Sequence, residues 1–397
     1  MAEPLRDTGC AVNTGAAVCG GAQAAPHPLS RLSLVIDVVT RACNMHCAYC
    51  HERAETGPAG HDLDARANSA EWLLRQTAQR RITWLLHGGE PLFAGLTHLE
   101  RIWESTEILA RRLDKQLSWG IQTNGTLIDD TTARWLVARR FRVSVSLDGP
   151  AAWNDGYRGQ GVAVEAAIAR LQRAGIRPAV LCVLTRANAG HIDELVAYFR
   201  GLGVASVRYN PCWPVGRADD AVVADAAVWV DAKTALLDRM IAEEDPRADR
   251  ELAHWACLRL LPRRNGARSG ICASRPCGAG RRVVAIGPAG ALYACGRALD
   301  LPGEAGLLAG AGRWPSARAW RARLRAFHAP QRPKPGCAAC PAFGWCTAGC
   351  PSFLWQRPDL ADCACRFWKG MAAAIDARDG ALTRVLSGNT GGTGAPG

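Results

Sequence analysis

The chain has 397 residues, of which 48% are hydrophobic, and this composition predicts one large globular domain with a smaller addition rather than a disordered chain. Its formal net charge is +12 at pH 7, but the cationic residues are interleaved with Asp and Glu, which argues against a nucleic-acid-binding surface. The sequence lacks both the apolar run of about 18 residues that spans a membrane and the N-terminal pattern of a signal peptide, so neither a membrane span nor secretion is predicted.

Strand-like and helix-like segments alternate between residues 33 and 209. Strands are predicted at 33–38, 82–87, 118–123, 142–147, 179–184 and 205–209, and helices at 67–80, 97–114, 129–140, 162–174 and 190–202. Apolar strands separated by helices are typical of βαβ units and a parallel sheet. Six such strands predict an α/β fold with an open or partial (β/α)6 barrel, whose chemistry we expect at the carboxyl ends of the strands.

Conspicuous segments follow the first four predicted strands. They are CNMHCAYC at 43–50, HGGE at 87–90, TNG at 123–125 and SLD at 146–148. Each alone is compatible with an ordinary turn, but on a barrel all four would converge on one mouth. Thiolates from Cys43, Cys47 and Cys50 would bind three irons of a 4Fe-4S cluster and leave the fourth iron open to another ligand.

A second group of cysteines follows a predicted helical bridge at 221–260. Its members are Cys272, Cys277, Cys295, Cys337, Cys340, Cys346, Cys350, Cys363 and Cys365. The segment VVAIGPAGALYAC predicts a β-hairpin that Cys295 closes. The spacing is compatible with a zinc ribbon, but the run ends in Cys350-Pro351, a feature of two-cluster ferredoxins, so two metals remain possible on spacing alone.

The first group of motifs resembles the radical S-adenosylmethionine enzymes. The resemblance rests on CxxxCxxC after the first strand, an aromatic residue before the third cysteine, and GGEP after the second strand. In that family the amino and carboxylate groups of S-adenosylmethionine chelate the open iron, and reductive cleavage gives a radical that abstracts a substrate hydrogen. The resemblance implies cofactor contacts from Tyr49, Gly88, Gly89, Glu90, Asn124, Ser146, Asp148 and Arg158. In S-adenosylmethionine, the methionyl ammonium would contact the GGE segment and the ribose would lie near Ser146 and Asp148. The carboxylate would contact Arg158.

The second cysteine group resembles the SPASM extension of peptide-modifying members of that family. The resemblance implies two auxiliary 4Fe-4S clusters, one on Cys272, Cys277, Cys295 and Cys350, the other on Cys337, Cys340, Cys346 and Cys363, and hence three clusters in all. The Cys272 to Cys277 spacing is one residue shorter than we expect of fully ligated members, so the first cluster has either Cys272 or an open iron. Cys365 is the alternative to Cys363.

The predicted strands and helices and the two cysteine groups also predict the domain organisation. We expect a disordered tail at 1–28, the partial barrel at 29–215, the helical bridge at 216–270, the SPASM extension at 271–367, and a C-terminal helix with a flexible tail at 368–397.

The resemblance implies a maturase that oxidises or cross-links a side chain of a ribosomally made peptide. An anaerobic sulfatase maturase that forms formylglycine is the alternative, because HGGEPL, QTNGT and SLDGP resemble those enzymes as well. As we understand that family, an aspartate follows the hairpin cysteine, whereas here Gly296 follows Cys295 and Asp300 is the nearest acid beyond it, so we expect no formylglycine. A non-catalytic iron-sulfur or zinc module would leave GGEP unexplained. The general base, the residue modified and the bond formed are not encoded in these motifs.

The expected partners follow from the same chemistry. We expect a peptide or protein substrate and an electron donor such as a flavodoxin or ferredoxin. Since no winged-helix domain fits before residue 30, we expect the peptide to be bound either by the barrel and extension or by a separate leader-peptide-binding protein. Exposed iron requires a reducing compartment, so the cytoplasm is the expected location.

Overall fold

The computed structural model describes residues 26–57, 62–246, 249–261, 272, 277–331, 333–343, 346 and 349–388. Of the two predicted tails, residues 1–25 and 389–397 lie outside these ranges, as does 262–271, which includes the predicted start of the extension. In the described ranges no helix has the length and apolar character needed to cross a membrane.

Nine strands of the described chain form one sheet. They are β1 (Leu34–Thr40), β2 (Arg81–Gly88), β3 (Gln116–Thr123), β4 (Arg142–Ser146), β5 (Ala179–Leu184), β6 (Ser206–Pro211), β7 (Val283–Ile286), β8 (Leu292–Tyr293) and β9 (Leu307–Ala309). Their order is β6-β5-β4-β3-β2-β1-β7-β8-β9, and β1 to β6 pair in parallel with their neighbours. Because β1 pairs with β2 and β7 rather than with β6, the barrel stays open, and the predicted partial (β/α)6 barrel is confirmed.

The α-helices of the described chain are α1 (Leu63–Gln76), α2 (Leu96–Arg112), α3 (Asp130–Ala138), α4 (Ala151–Tyr157), α5 (Gly161–Arg173), α6 (Ile192–Gly201), α7 (Ala226–Ala242), α8 (Arg250–Leu260), α9 (Ala317–Phe327), α10 (Pro351–Gln356), α11 (Leu360–Asp376) and α12 (Asp379–Gly388). Helices α1 to α6 connect the six barrel strands, and α7, α8, α11 and α12 contact one another. The five predicted helices correspond to α1, α2, α3, α5 and α6. Helix α1 begins earlier than predicted because the Asp62 side chain accepts a hydrogen bond from the amide of Ala65 and caps its N-terminus.

The hairpin of the cysteine-rich region extends the barrel's own sheet. Strand β7 lies parallel to β1, with Leu34 opposite Val283 and Asp37 opposite Ile286, and β8 returns antiparallel to β7. The turn between them contains Gly290 at φ +77°, where a Cβ atom would lie 2.7 Å from the backbone of Ala65 in α1. The predicted hairpin is therefore confirmed, and its pairing places Cys295 close to the first barrel strand.

Helices α7, α8 and α11 pack together through aromatic side chains and one buried ion pair. The rings of Trp229 and Trp255 lie 6.5 and 6.1 Å from the ring of Phe367 in α11. The Lys233 ammonium in α7 lies 2.7 Å from the carboxylate of Asp249, and both side chains are fully buried. Asp249 also caps α8, so the pair fixes the position of α8 against α7.

Candidate functional site

Three cysteines lie together in the loop that follows β1. Cys43 is buried with Met45 and Ala54, and Cys47 and Cys50 are half-buried against the same small apolar cluster. The amide of Ala48 donates a 2.8 Å hydrogen bond to the carbonyl of Tyr157 at the end of α4, which anchors the loop. Burial raises the pKa of Cys43 and of Cys47. Charge on Cys47 and Cys50 raises the pKa of Cys43 further, and charge on Cys50 does the same for Cys47. The loop thus brings the three predicted ligands into one electrostatic group.

The donor set of this loop fits an iron-sulfur cluster. A single zinc ion draws its ligands to about 2.3 Å, whereas in a cluster each thiolate binds its own iron, so the ligands need not meet at one point. Over the described ranges no three His, Cys, Asp or Glu side chains meet at the spacing that a single ion requires. Soft thiolates without carboxylate ligands are the donors that iron-sulfur clusters use.

The HGGE segment passes directly against the residues that lead into the cysteine loop. The amides of Gly89 and Glu90 donate 2.8 and 2.9 Å hydrogen bonds to the carbonyls of Thr40 and Ala42. Gly88 has φ +129°, and a Cβ atom there would lie 2.2 Å from the Thr40 oxygen; at Gly89 the nearest atom, the Ala42 oxygen, would lie at 2.3 Å. Only glycine allows this approach at both positions.

The Glu90 carboxylate joins the HGGE and TNG segments. It is fully buried and accepts hydrogen bonds from the Thr123 hydroxyl at 2.8 Å and the Asn124 amide at 2.6 Å. Burial raises its pKa to about 7 despite these donors. The Asn124 side chain in turn lies 3.8 Å from the Cys43 sulfur. Three of the four strand-end motifs are therefore in direct contact.

The fourth motif joins the same group through a tyrosine and an arginine. The Tyr49 hydroxyl donates to one oxygen of Asp148, and the Val183 amide donates to the other at 2.8 Å. The Arg158 guanidinium donates to the Tyr49 hydroxyl at 2.8 Å. Burial raises the pKa of Asp148 and of Tyr49. Ser146, two residues before Asp148, accepts a 2.8 Å hydrogen bond from Gln122.

Sequence reasoning missed two polar residues at this mouth, His51 and Glu52. The His51 ring lies 3.2 Å from the Glu52 carboxylate, and its centroid lies 6.5 Å from that of His87. Burial lowers the pKa of His87 to about 4, and its Nδ1 accepts a 2.7 Å hydrogen bond from the Gly88 amide. His87 is therefore neutral at pH 7 and carries its proton on Nε2, where it can only donate.

Asp300, the acid nearest to Cys295 along the chain, is held by an ion pair. Arg41, which directly follows β1, donates to both oxygens of Asp300, with Nη2 at 2.5 Å from Oδ2. The same Nη2 donates to the Glu52 carbonyl at 3.1 Å. Asp300 thus does return to the cysteine loop, but its carboxylate is bound by a guanidinium.

The cysteines predicted for the first auxiliary cluster form a second electrostatic group. Cys277, Cys295 and Cys350 are half-buried, and Cys272 is exposed. Burial raises the pKa of Cys295 to about 12 and that of Cys277 well above its usual range, and charge on Cys350 and Cys272 adds to both shifts. The Cys295 sulfur also lies 3.6 Å from the Ser352 hydroxyl at the start of α10. Charge on Cys272 and Cys350 thus acts on both Cys277 and Cys295, which makes the four predicted ligands one electrostatic group.

The cysteines predicted for the second auxiliary cluster lie on segments that contact one another. The Lys334 amide lies 3.2 Å from the Cys337 sulfur, and the Lys334 ammonium lies 2.5 Å from Asp362 in α11, one residue before Cys363. Cys340, Cys346 and Cys363 all pack against the main core. Cys365 follows Cys363 by two positions, so on a helix it points in a different direction.

Comparisons with known sequences agree with this geometry. The model of the radical SAM superfamily matches residues 38–199. The cysteine-type anaerobic sulfatase-maturating enzyme of Clostridium perfringens is 29% identical over 195 residues, 46% of this chain and 52% of that enzyme, so the match spans about half of that relative. The mycofactocin maturase MftC of Mycobacterium tuberculosis is 28% identical over 322 residues, 79% of this chain and 76% of MftC.

Solved structures share the fold over most of the chain. A structure of anSMEcpe with bound AdoMet superposes with a TM-score of 0.74 at 20% identity and covers 90% of this chain and 100% of that one. Streptococcus suis SuiB bound to S-adenosylmethionine superposes with a TM-score of 0.61 at 14% identity. The match covers 83% of this chain and 75% of the SuiB chain. At these identities the likeness is one of fold.

Proposed function

The chain carries a radical SAM domain in residues 38–199, and we propose that it is a maturase that oxidises or cross-links a side chain of a ribosomally made peptide. One observation carries the proposal: the strand-end motifs form a hydrogen-bonded group around the three cysteines of the loop after β1. A second group of cysteines lies by a hairpin that belongs to the same sheet. The match to a maturase over 79% of the chain supports a peptide substrate.

The proposed ligand sets are those that the sequence predicts. Cys43, Cys47 and Cys50 would hold the cluster that binds S-adenosylmethionine, and the two auxiliary clusters would be held by Cys272, Cys277, Cys295 and Cys350 and by Cys337, Cys340, Cys346 and Cys363. Bound together, the first cluster and S-adenosylmethionine supply an adenosyl radical that removes a hydrogen atom from an unactivated carbon.

The protein's own residues would position the cofactor rather than react. The Gly88–Glu90 segment offers backbone groups and a buried carboxylate to the methionyl ammonium, and ionisation of Glu90, whose pKa is about 7, would be favoured by that positive charge. Arg158 is held by Tyr49 and is suited to the cofactor carboxylate. Ser146 and Asp148 would lie near the ribose. We further propose an electron donor of the flavodoxin or ferredoxin type, a separate leader-peptide-binding protein, and a cytoplasmic location.

The first test is cleavage of S-adenosylmethionine. Reconstituted protein with dithionite should form 5′-deoxyadenosine, and the variant with Cys43, Cys47 and Cys50 all replaced by Ala should form none while it keeps its auxiliary iron. A Cys182→Ala variant, which alters a buried cysteine of β5 outside the three proposed ligand sets, is the control and should retain the activity. Product formation by the triple variant would show that the active cluster is elsewhere.

Formylglycine formation is the second candidate function, favoured by the 29% identity over 195 residues to the cysteine-type anaerobic sulfatase-maturating enzyme. Two observations argue against it: Gly296 carries no titratable group next to Cys295, and the Asp300 carboxylate is bound by Arg41. We expect a sulfatase-derived peptide to remain without formylglycine in an assay in which the same protein still cleaves S-adenosylmethionine. An aldehyde detected on that peptide would make the second candidate the function.

A further inference from the structure

Arg297 occupies a position between the barrel and the first auxiliary thiol group. It lies two residues after Cys295, in a single helical turn at Gly296–Ala298. That turn packs on β1, because a Cβ atom at Gly296 would lie 3.2 Å from the side chain of Ile36. The guanidinium carbon of Arg297 lies 4.9 Å from the ring centroid of Phe353, three residues after Cys350.

This contact holds the guanidinium on the side of the thiol group. Phe353 and Ser352 belong to α10, which starts directly after Cys350, and Ser352 contacts the sulfur of Cys295. Arg297 therefore bridges the two chain segments that carry Cys295 and Cys350. Partial desolvation of the guanidinium would lower the pKa of Arg297, but charge on Cys350, Cys272 and Cys295 outweighs this and keeps the pKa raised, while the residue as a whole is exposed to solvent.

Other charges near Arg297 come from the barrel and from α8. Glu251 at the start of α8 also raises the pKa of Arg297 and lies 4.0 Å from Arg208 of β6, so part of its charge is shared with that arginine. His87 also faces Arg297, which contributes to the lowered pKa of the imidazole. Because His87 is neutral at pH 7, it adds no second positive charge beside the guanidinium.

A cluster bound by four thiolates gains one negative charge when it accepts an electron. A fixed cation at short range stabilises the reduced form more than the oxidised form, and so raises the reduction potential. Because Arg297 is exposed, solvent screens part of this effect. We propose that Arg297 raises the reduction potential of the first auxiliary cluster and so makes that cluster a better electron acceptor than it would be without this cation. The inference rests on the proposed function, in which a substrate radical gives one electron to an oxidised auxiliary cluster and loses one proton.

The experiment uses the protein with Cys43, Cys47 and Cys50 replaced by Ala, so that only the auxiliary clusters are titrated. Midpoint potentials are measured by redox titration with electron paramagnetic resonance detection. Arg297→Gln should lower the potential of one cluster and leave the other unchanged, and Arg297→Lys, which keeps the charge, should lower it less. Arg101→Gln, on the exposed side of α2, is the matched control and should change neither potential.

Unchanged potentials in Arg297→Gln, or equal shifts in the Gln and Lys variants, would overturn the inference. If Arg297→Gln loses the iron of one cluster, retention of that iron by Arg297→Lys supports a role of the charge, and equal loss in both contradicts it. Absence of auxiliary iron in the parent variant would overturn the proposed function and this inference together. About eight irons with unaltered potentials would overturn the inference alone.

Discussion

The backbone at Gly89 leaves no room for any side chain. A Cβ atom there would lie 2.3 Å from the Ala42 oxygen and 2.7 Å from that of Arg41. We therefore expect Gly89→Ala to displace the HGGE segment from the cysteine loop, and to lower S-adenosylmethionine affinity, measured by equilibrium dialysis, more than tenfold. Gly156→Ala is the matched control: nothing lies within 4 Å of a Cβ there, in the interior of α4, and Ala is the better helix former. Equal affinities for the two variants would contradict this account of the loop.

The Tyr49 hydroxyl is the second single-residue test. Tyr49→Phe removes the donor to buried Asp148 and the acceptor for Arg158, and a buried polar group left without its partner costs about 1–3 kcal/mol. The free energy of unfolding of the reconstituted protein in urea should fall by that amount. Tyr293→Phe on β8, where the ring is half-exposed, should change it by less than about 0.5 kcal/mol. If Tyr49→Phe lowers the free energy of unfolding no more than Tyr293→Phe does, the hydrogen bonds of the Tyr49 hydroxyl do not stabilise the protein as stated.

The motifs named the site residues but not their hydrogen-bond partners. Glycines at 88 and 89 and a carboxylate at 90 are visible in the sequence, whereas the donors from Thr123 and Asn124 depend on the relative position of β2 and β3. His51 and Glu52 were missed because they follow the third cysteine without a distinctive spacing. Their proximity to His87 exists only once β1 and β2 lie side by side.

Among the elements, the barrel strands were predictable because they are apolar and separated by helices of regular period. The bounds of α1 were wrong because a cap at Asp62, rather than the apolar pattern, decides where that helix begins. Pairing of β7 with β1 was not predicted, since strand pairing across more than two hundred residues leaves no local signal. Its consequence is functional, because this pairing brings the two thiol groups to one sheet.

The buried ion pair between α7 and α8 gives a test at the level of elements. Lys233→Met leaves the Asp249 carboxylate fully buried without its cation, and removing one partner of a buried pair costs about 3–5 kcal/mol. Arg80→Met breaks the Arg80–Asp114 pair, whose side chains are 64% and 80% exposed, and should cost no more than about 1 kcal/mol. Both are measured by urea unfolding of the reconstituted protein, and similar losses would contradict the role of the pair.

For the whole molecule, iron content tests the ligand sets. Three 4Fe-4S clusters require about twelve irons per chain after anaerobic reconstitution, and the Cys43, Cys47 and Cys50 triple variant should keep about eight. Replacement of Cys337, Cys340 and Cys346 by Ala should also leave about eight, with S-adenosylmethionine cleavage retained. A colourless protein that contains zinc instead would contradict the assignment of all three ligand sets.

The measurement that tests the central claim most directly is the mass of a peptide product. The reconstituted protein is incubated anaerobically with S-adenosylmethionine, a reductant and a ribosomally made candidate precursor peptide, and the peptide is analysed by tandem mass spectrometry and with an aldehyde probe. We predict a loss of two hydrogen atoms per event, formation of 5′-deoxyadenosine, and no reaction with the probe. A gain of one oxygen atom or a product labelled by the aldehyde probe would contradict oxidation or cross-linking of the peptide by this enzyme.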